Sequence, residues 1–256
     1  MYYPITNQIC QQLNLEFYFY PQIDSTNSEA LRLLQQDNSK KYVVIAGSQS
    51  LGRGRNRKYW HSPAADNIYL SLGLKIDDSK QLALSLSSAI AVIDAINPLL
   101  NKSSLEFGLK WPNDIYLDGK KIGGILIETN SNNLCVIGLG LNINMQNKDE
   151  NNSKITQNWT SLSASLKQIY NLDKLSSKII SSLIEIINIH QNQGFTALKE
   201  RWIQYHLWRN LPVKTINNQQ ETHGIARGIT ENGCLILETP KGIQTLLSGE
   251  ISLRRA

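Results

Sequence analysis

The chain has 256 residues, 41% of them hydrophobic, with three cysteines and a formal net charge of +5. A globular composition of this length buries a core as one domain, or as a larger domain with a small one, and needs no disulfides. Cys10, Cys135 and Cys234 are far apart and form no C-x-x-C pair, which argues against a disulfide framework or a cysteine zinc site and fits a reducing, cytoplasmic setting. The N-terminus has no basic start followed by an apolar core, and no apolar run reaches the ~18 residues of a membrane span. The basic balance favours anionic partners: nucleic acid, nucleotides or acidic proteins.

In chain order, EFYFY (16–20) reads as a strand. A helix follows in DSTNSEALRLLQQ (24–36), capped by Ser25 or Thr26, with Ala30, Leu31 and Leu34 on its apolar side. YVVIAG (42–47) is a continuous buried strand, and NIYLSLGLK (67–75) is an alternating one. Leu82, Leu86, Ala89, Ile93 and Ile96 keep a helical rhythm. Asp118-Gly119 predicts a β-hairpin turn, and NLCVIGLGLNIN (133–144) another strand. Residues 145–158 are polar and Asn-rich and read as a loop, with helices expected at 160–169, 173–191 and 194–206. After Pro212 the texture turns to short strands with turn signals at Asn232-Gly233 and Pro240-Lys241-Gly242, which predicts a small β-barrel. The expected architecture is α+β: residues 1–208 a mixed sheet flanked by helices, residues 209–256 the barrel.

Four stretches carry chemistry. In SQSLGRGRNRKYW (48–60), glycines let main-chain N–H groups approach a ligand while Arg53 and Arg55 supply paired donors for carboxylate or phosphate. A solvated loop, or an Arg-Gly segment on single-stranded nucleic acid, reads the same residues. In KWPND (110–114), Trp111 suits core filling, and Asn113 and Asp114 suit a turn. KKIGGILIE (120–128) begins a strand with lysines that either snorkel to the surface or aim a charge at an anion, and Gly123-Gly124 would admit a ligand chain. GLGLNIN (138–144) ends a strand and does not open a helix, so it is no dinucleotide fingerprint. There is no P-loop, metalloprotease or nucleophile-elbow motif.

The ordered series Asp24-Ser25-Thr26-Asn27, Gln49 to Arg55, Lys110 to Asp114, Lys121 to Glu128 and Gly138 to Asn144 resembles the biotin–protein ligases, and GEISLRR (249–255) resembles the end of that family's C-terminal domain. The resemblance implies a class II synthetase-like catalytic fold followed by an SH3-like barrel. It implies ATP with Mg²⁺ as cofactors, biotin as substrate, and two steps: formation of biotinyl-5′-AMP, then transfer to a lysine of the biotin carboxyl carrier protein of acetyl-CoA carboxylase. By the same resemblance, Ser25, Thr26, Asn27, Gln49, Gly52, Arg53, Lys121, Gly123 and Gly124 bind biotin. Arg53, Arg55, Lys58, Trp60, Asn113, Asn142 and Trp159 bind ATP or the adenylate, with Asn142 also a candidate magnesium ligand. Lys121, Arg55 and Asp114 are the expected catalytic residues, the 145–158 loop would order over the adenylate, and Glu250 and Arg254 could reach the nucleotide.

The family writes its loop G-R-G-R-x-G-R-x-W, whereas here Arg57 replaces the last glycine and Lys58 the arginine after it. Some members carry an N-terminal winged helix-turn-helix. With only about twenty residues before Asp24, the expectation here is a ligase that binds no nucleic acid. No membrane partner is expected, and monomer and homodimer remain open. Two rivals stand beside this reading: a lipoate–protein ligase running the same two steps, and an Arg-Gly nucleic-acid module whose binding would fall steeply with salt.

Overall fold

The computed structural model describes every residue except 1, 2, 65, 66, 102, 131, 147–156, 218, 219, 249, 250 and 256, and only the main chain of Arg57 and Asn217. Most of the 145–158 loop, and Glu250, therefore lie outside the described residues.

In chain order the first part contains α1 (Pro4–Gln12), β1 (Glu16–Tyr20), α2 (Thr26–Gln36), β2 (Tyr42–Ala46), β3 (Asn67–Lys75), α3 (Leu84–Ile96), β4 (Phe107–Lys110), β5 (Asp114–Leu117), β6 (Lys120–Thr129), β7 (Leu134–Asn142), α4 (Leu162–Leu166), α5 (Leu172–Gln193) and α6 (Lys199–Gln204). The strands form a seven-stranded mixed sheet in the order β1-β2-β3-β7-β6-β5-β4, parallel between β1 and β2. Strand β2 is buried at all five positions, as its continuous apolar run requires in a sheet covered on both faces.

Period-two alternation decides what each face carries. Ile68, Leu70, Leu72 and Leu74 of β3, with Cys135, Ile137, Leu139 and Leu141 of β7, join the main core with α3 and α5. The opposite face receives the other residues. There Ala30 and Leu34 of α2 cover Tyr42, Val44 and Val136. Beyond that small cluster β7 presents Gly138, Gly140 and Asn142, and the sheet opens. Asp118 and Gly119 both take positive φ, 49° and 73°, as a two-residue hairpin turn demands.

The second part contains β8 (Pro212–Asn217), β9 (Gln220–Ile229), β10 (Leu235–Thr239), β11 (Gly242–Leu246) and β12 (Ser252–Arg255). They form one antiparallel sheet in the order β11-β10-β9-β8-β12, and among the described residues no pairing joins its two outer strands into a closed barrel. Trp111, fully buried, donates its indole N–H to the carbonyl of Gly233 at 2.9 Å and so ties this sheet to the first part.

Several expectations are corrected in detail. Helix α1 is unforeseen. The helix expected at 160–169 spans only Leu162–Leu166, ending at Lys167 with φ 56°. That expected at 194–206 splits into a 3-10 turn, Phe195–Ala197, and α6. Helix α3 starts at Leu84 because Ala83 is left-handed, which leaves Leu82 half exposed in front of it. Among the described residues no helix is long and apolar enough to cross a membrane.

Candidate active site

The open face of the first sheet forms the floor of a cavity of about 440 Å³. Its rows run across three strands: Ser71, Gly138 and Leu126 are in register, then Tyr69, Gly140 and Gly124. Gly138 and Gly140 are small because other side chains lie on them. A Cβ on Gly138 would sit 2.1 Å from Asn27 Oδ1, and one on Gly140 would sit 2.4 Å from the indole ring of Trp60. The glycines that leave space in the sequence are filled by the protein itself.

At the Gly138 row the polar groups are saturated. Gln49 Oε1 accepts from the Thr26 main-chain N–H at 2.9 Å and from Thr26 Oγ1 at 3.1 Å, while Gln49 Nε2 donates to Ser62 Oγ at 3.0 Å. Ser71 Oγ donates to Asn27 Oδ1 at 2.6 Å. Ser25 caps α2, accepting the Ser28 N–H at 3.5 Å. Thr26 and Asn27 are 4% and 5% exposed, so these partners meet groups withdrawn from water.

Residues 52–60 form a narrow hairpin beside this network. The Trp60 N–H reaches the Gly52 carbonyl at 2.9 Å, and the Gly54 N–H reaches the Lys58 carbonyl at 2.8 Å. A side chain on Gly52 would lie 2.4 Å from the Trp60 carbonyl, which explains that glycine. Asn56, not Arg57, takes the left-handed conformation, with φ 55°. Arginine in place of the family glycine therefore incurs no left-handed strain. Arg53 leaves the hairpin toward Glu128 and Ser28. Arg55 reaches Asn113 Oδ1 at 3.4 Å and donates to the carbonyl of Ser248, which follows β11.

At the Gly140 row the charges gather. Lys121 Nζ lies 2.6 Å from Asp114 Oδ1 and 5.2 Å from the centre of the Trp60 ring. Asp114 Oδ2 lies 3.3 Å from Nζ of Lys110, which is 5% exposed and stands over the rings of Tyr116 and Trp208. Burial pushes the Asp114 carboxyl up, but Lys121 and Lys110 outweigh it and hold the group below its ordinary value. Burial lowers Lys110, with Asp114 opposing, and burial also lowers Arg55. The main chain of Lys121 is clamped by the segment after the 145–158 loop: its N–H donates to the Asn158 carbonyl at 3.1 Å, and its carbonyl accepts the Thr160 N–H at 2.9 Å. That pairing seats Trp159 at the cavity wall.

The expected site residues line one cavity except Gly52 and Gly123, which are not among its lining residues. Gly123 is required by packing, since a Cβ there would meet Leu141 Cδ1 at 2.8 Å and the Gly140 carbonyl at 2.9 Å. Gly124 has ordinary space, and a Cβ there would lie 3.5 Å from Lys121 Cε and 3.6 Å from Asp114 Oδ1. Asn142 lines the cavity and donates Nδ2 to the Thr160 carbonyl at 3.1 Å. Sequence reasoning gave no role to Lys110, Ser71 or Glu128. Lys110 and Asp114, four apart, face each other only because β4 and β5 pair. Arg254 joins the wall from β12.

Among the described residues that line the cavity are six cationic side chains, Arg53, Arg55, Lys58, Lys110, Lys121 and Arg254, and one carboxylate, Asp114. Such an excess inside a recess favours anionic ligands. No group of three or more His, Cys, Asp or Glu side chains among the described residues could hold a metal ion.

Residues 19–144 match the biotin/lipoate A/B protein ligase family, and residues 211–254 match the biotin protein ligase C-terminal domain. The bifunctional ligase/repressor BirA of Escherichia coli is 35% identical over 242 residues, covering 92% of this chain and 73% of that protein. The biotin–[acetyl-CoA-carboxylase] ligase of Mycobacterium tuberculosis is 29% identical, covering 90% and 86%. The biotin protein ligase of Aquifex aeolicus, solved with biotin and ATP, superposes with a TM-score of 0.80 at 26% identity, covering 94% of this chain and 99% of that one. The chain belongs to the biotin/lipoate A/B protein ligase family, as one of its biotin protein ligases.

Proposed function

We propose that this enzyme activates biotin with ATP as biotinyl-5′-AMP and passes the biotinyl group to one lysine of the biotin carboxyl carrier protein of acetyl-CoA carboxylase. The observation that carries the reading is the setting of Lys121: its ammonium lies 2.6 Å from Asp114, and the other Lys and Arg side chains of the cavity, with no second carboxylate among its described lining residues, make it cationic. The biotin and ATP of the Aquifex aeolicus complex, and the carboxylase in the name of the Mycobacterium tuberculosis relative, support these substrates.

The ureido ring of biotin sits against Ser25, Thr26 and Gln49, where hydrogen-bonding groups face an otherwise packed floor. The valeryl chain passes Gly124 toward Lys121. A carboxylate oxygen attacks the α-phosphorus of ATP, a P–O bond forms, and the bond to the bridging oxygen breaks, releasing pyrophosphate. Two anions meet in this step, and Lys121 and Arg55, fixed in place, stabilise the charge that builds on the phosphoryl oxygens. Lys58 and Asn113 flank the phosphates, with Trp60 and Trp159 as apolar walls and Trp159 over the adenine. In the second step the neutral amine of the acceptor lysine attacks the acyl carbon, AMP leaves with the bond electrons, and the amine loses a proton. Asp114, kept ionised, orients that amine by accepting one of its N–H bonds.

Magnesium fits as a companion of ATP. Asn142 would offer it one amide oxygen, Asp114 is already shared by two lysines, and the ion would otherwise be held by the phosphates of ATP and by water. When bound, the ion neutralises phosphate charge.

The test is ATP–pyrophosphate exchange with biotin or lipoate as the acid, followed by labelling of the apo carrier domain. Biotin alone should support exchange and label one lysine. Exchange driven by lipoate, or none with either acid, would overturn the proposal.

A further inference from the structure

The chemistry above uses the Gly140 row and leaves Glu128 without a part. Glu128 lies near the end of β6, and both its oxygens accept from Arg53 Nη2 at 3.1 Å. Its Oε2 also accepts from Asn27 Nδ2 at 2.7 Å. Arg53 Nη1 donates to Ser28 Oγ at 2.9 Å. One carboxylate therefore joins three elements: the 52–60 hairpin through Arg53, α2 through Asn27, and the sheet through its own strand.

Two consequences follow. The Asn27 amide has a single orientation, because Nδ2 faces a carboxylate and Oδ1 faces the Ser71 hydroxyl. Both arms of Asn27 are thus tied to the sheet, as those of Gln49 are to Thr26 and Ser62, and Asn27 supports the head site from beneath. The second consequence is electrical. Glu128 offsets Arg53, whereas among the described lining residues Lys58, Lys110, Lys121 and Arg254 have one carboxylate, Asp114, between them. The cavity is thus neutral where the Gly138 row lies and cationic where the Gly140 row lies. A ligand with an uncharged polar head and an anionic tail has one favourable orientation in it.

We propose that Glu128 is a positioning residue for the ureido head of biotin: by bracing Arg53 and Asn27 it sets the hairpin over the head site and cancels the one cation there. The proposal rests on the biotin-activation reading and assigns the Arg53 side chain to the head, leaving the phosphates to Arg55 and Lys121. Arg53 and Glu128 side chains are 38% and 35% exposed, so their pair adds little to global stability. Its loss should appear in binding.

The experiment uses the full chain and four variants: Glu128→Gln, Arg53→Gln, the double variant, and Glu128→Asp. Biotin and ATP are each titrated in pyrophosphate exchange, and hydrogen exchange of residues 49–60 is followed without substrates. Each single Gln variant should raise the KM for biotin about tenfold while kcat and the KM for ATP stay within about twofold. The double variant should be no worse than either single, because both break one link. Glu128→Asp should recover part of the affinity, and protection of the hairpin amides should fall in both Gln variants. An unchanged KM for biotin, additive effects in the double variant, or a raised KM for ATP in Arg53→Gln would each overturn the proposal. Should Glu128→Gln fail to fold, Arg53→Gln still decides, since it alters an exposed side chain. If the parent shows no biotin-dependent exchange, the reaction assigned above fails, and the hydrogen-exchange arm still tests the brace.

Discussion

The two rows of the cavity floor handle polarity in opposite ways. At Gly138, Thr26, Asn27, Gln49 and Ser71 satisfy one another, and Arg53 is matched by Glu128. At Gly140, Lys110 and Lys121 share one carboxylate, Asp114. A saturated network fixes shape and recognises a ligand through its few remaining donors and acceptors. An undercompensated cluster recognises charge, and it stabilises charge that grows during reaction. The contrast assigns binding of the head to one row and chemistry to the other.

That division can be broken most sharply at Lys121. Lys121→Ala should slow adenylate formation on the order of 10²–10³-fold in single turnover while biotin still binds. Loss of biotin binding with no specific loss of rate would erase the division. Next in size is an acid effect behind the cationic row. His206, paired in the backbone with Leu109, is 7% exposed, and neither ring nitrogen has a hydrogen-bond partner among the described residues. Burial pushes its pKa down to about 4, with Arg209 adding to the effect. The unfolded imidazole takes up a proton near pH 6.5. Stability from this group is therefore complete above about pH 6.5 and is lost progressively as pH falls to about 4, up to ~3 kcal/mol. Thermal melts across that window should show the decline, and His206→Phe should flatten it.

Gly140→Ala tests the seat of Trp60. The added methyl meets the ring at 2.4 Å, so the indole must move and Lys121 loses the ring beneath it. The expected cost is about 2 kcal/mol in denaturant unfolding, with slower adenylation. Arg55→Ala should have the smallest effect, releasing the adenylate roughly tenfold faster. That release would appear as labelling of bystander proteins, and retention of the adenylate would mean that Arg55 serves the domain contact at Ser248 alone.

Much of this was legible in the sequence. Alternation in β3 and β7 separates core residues from floor residues without any structure, and continuous apolarity identifies β2. The order of five short motifs indicated a shared site. What stayed hidden depends on distance along the chain. Helix α1 has only Thr6 and Cys10 buried and no cap of its own; the N–H groups of Ile5 and Thr6 are satisfied by Asp173, more than 160 positions away. Glu128 ended a motif as a mere strand residue because Asn27 and Arg53 are brought to it by the fold. Gly138 and Gly140 are small because Asn27 and Trp60 lie over them, a contact that the motif does not state. The barrel was read from strand spacing, but spacing does not say whether the two outer strands meet.

The most direct test of the polarised cavity is a crystal structure of the protein with biotin bound. The account predicts the ureido ring against Ser25, Thr26 and Gln49, with the carboxylate within hydrogen-bonding distance of Lys121 or Arg55. Biotin lying in the reverse direction, or bound outside this cavity, would contradict it.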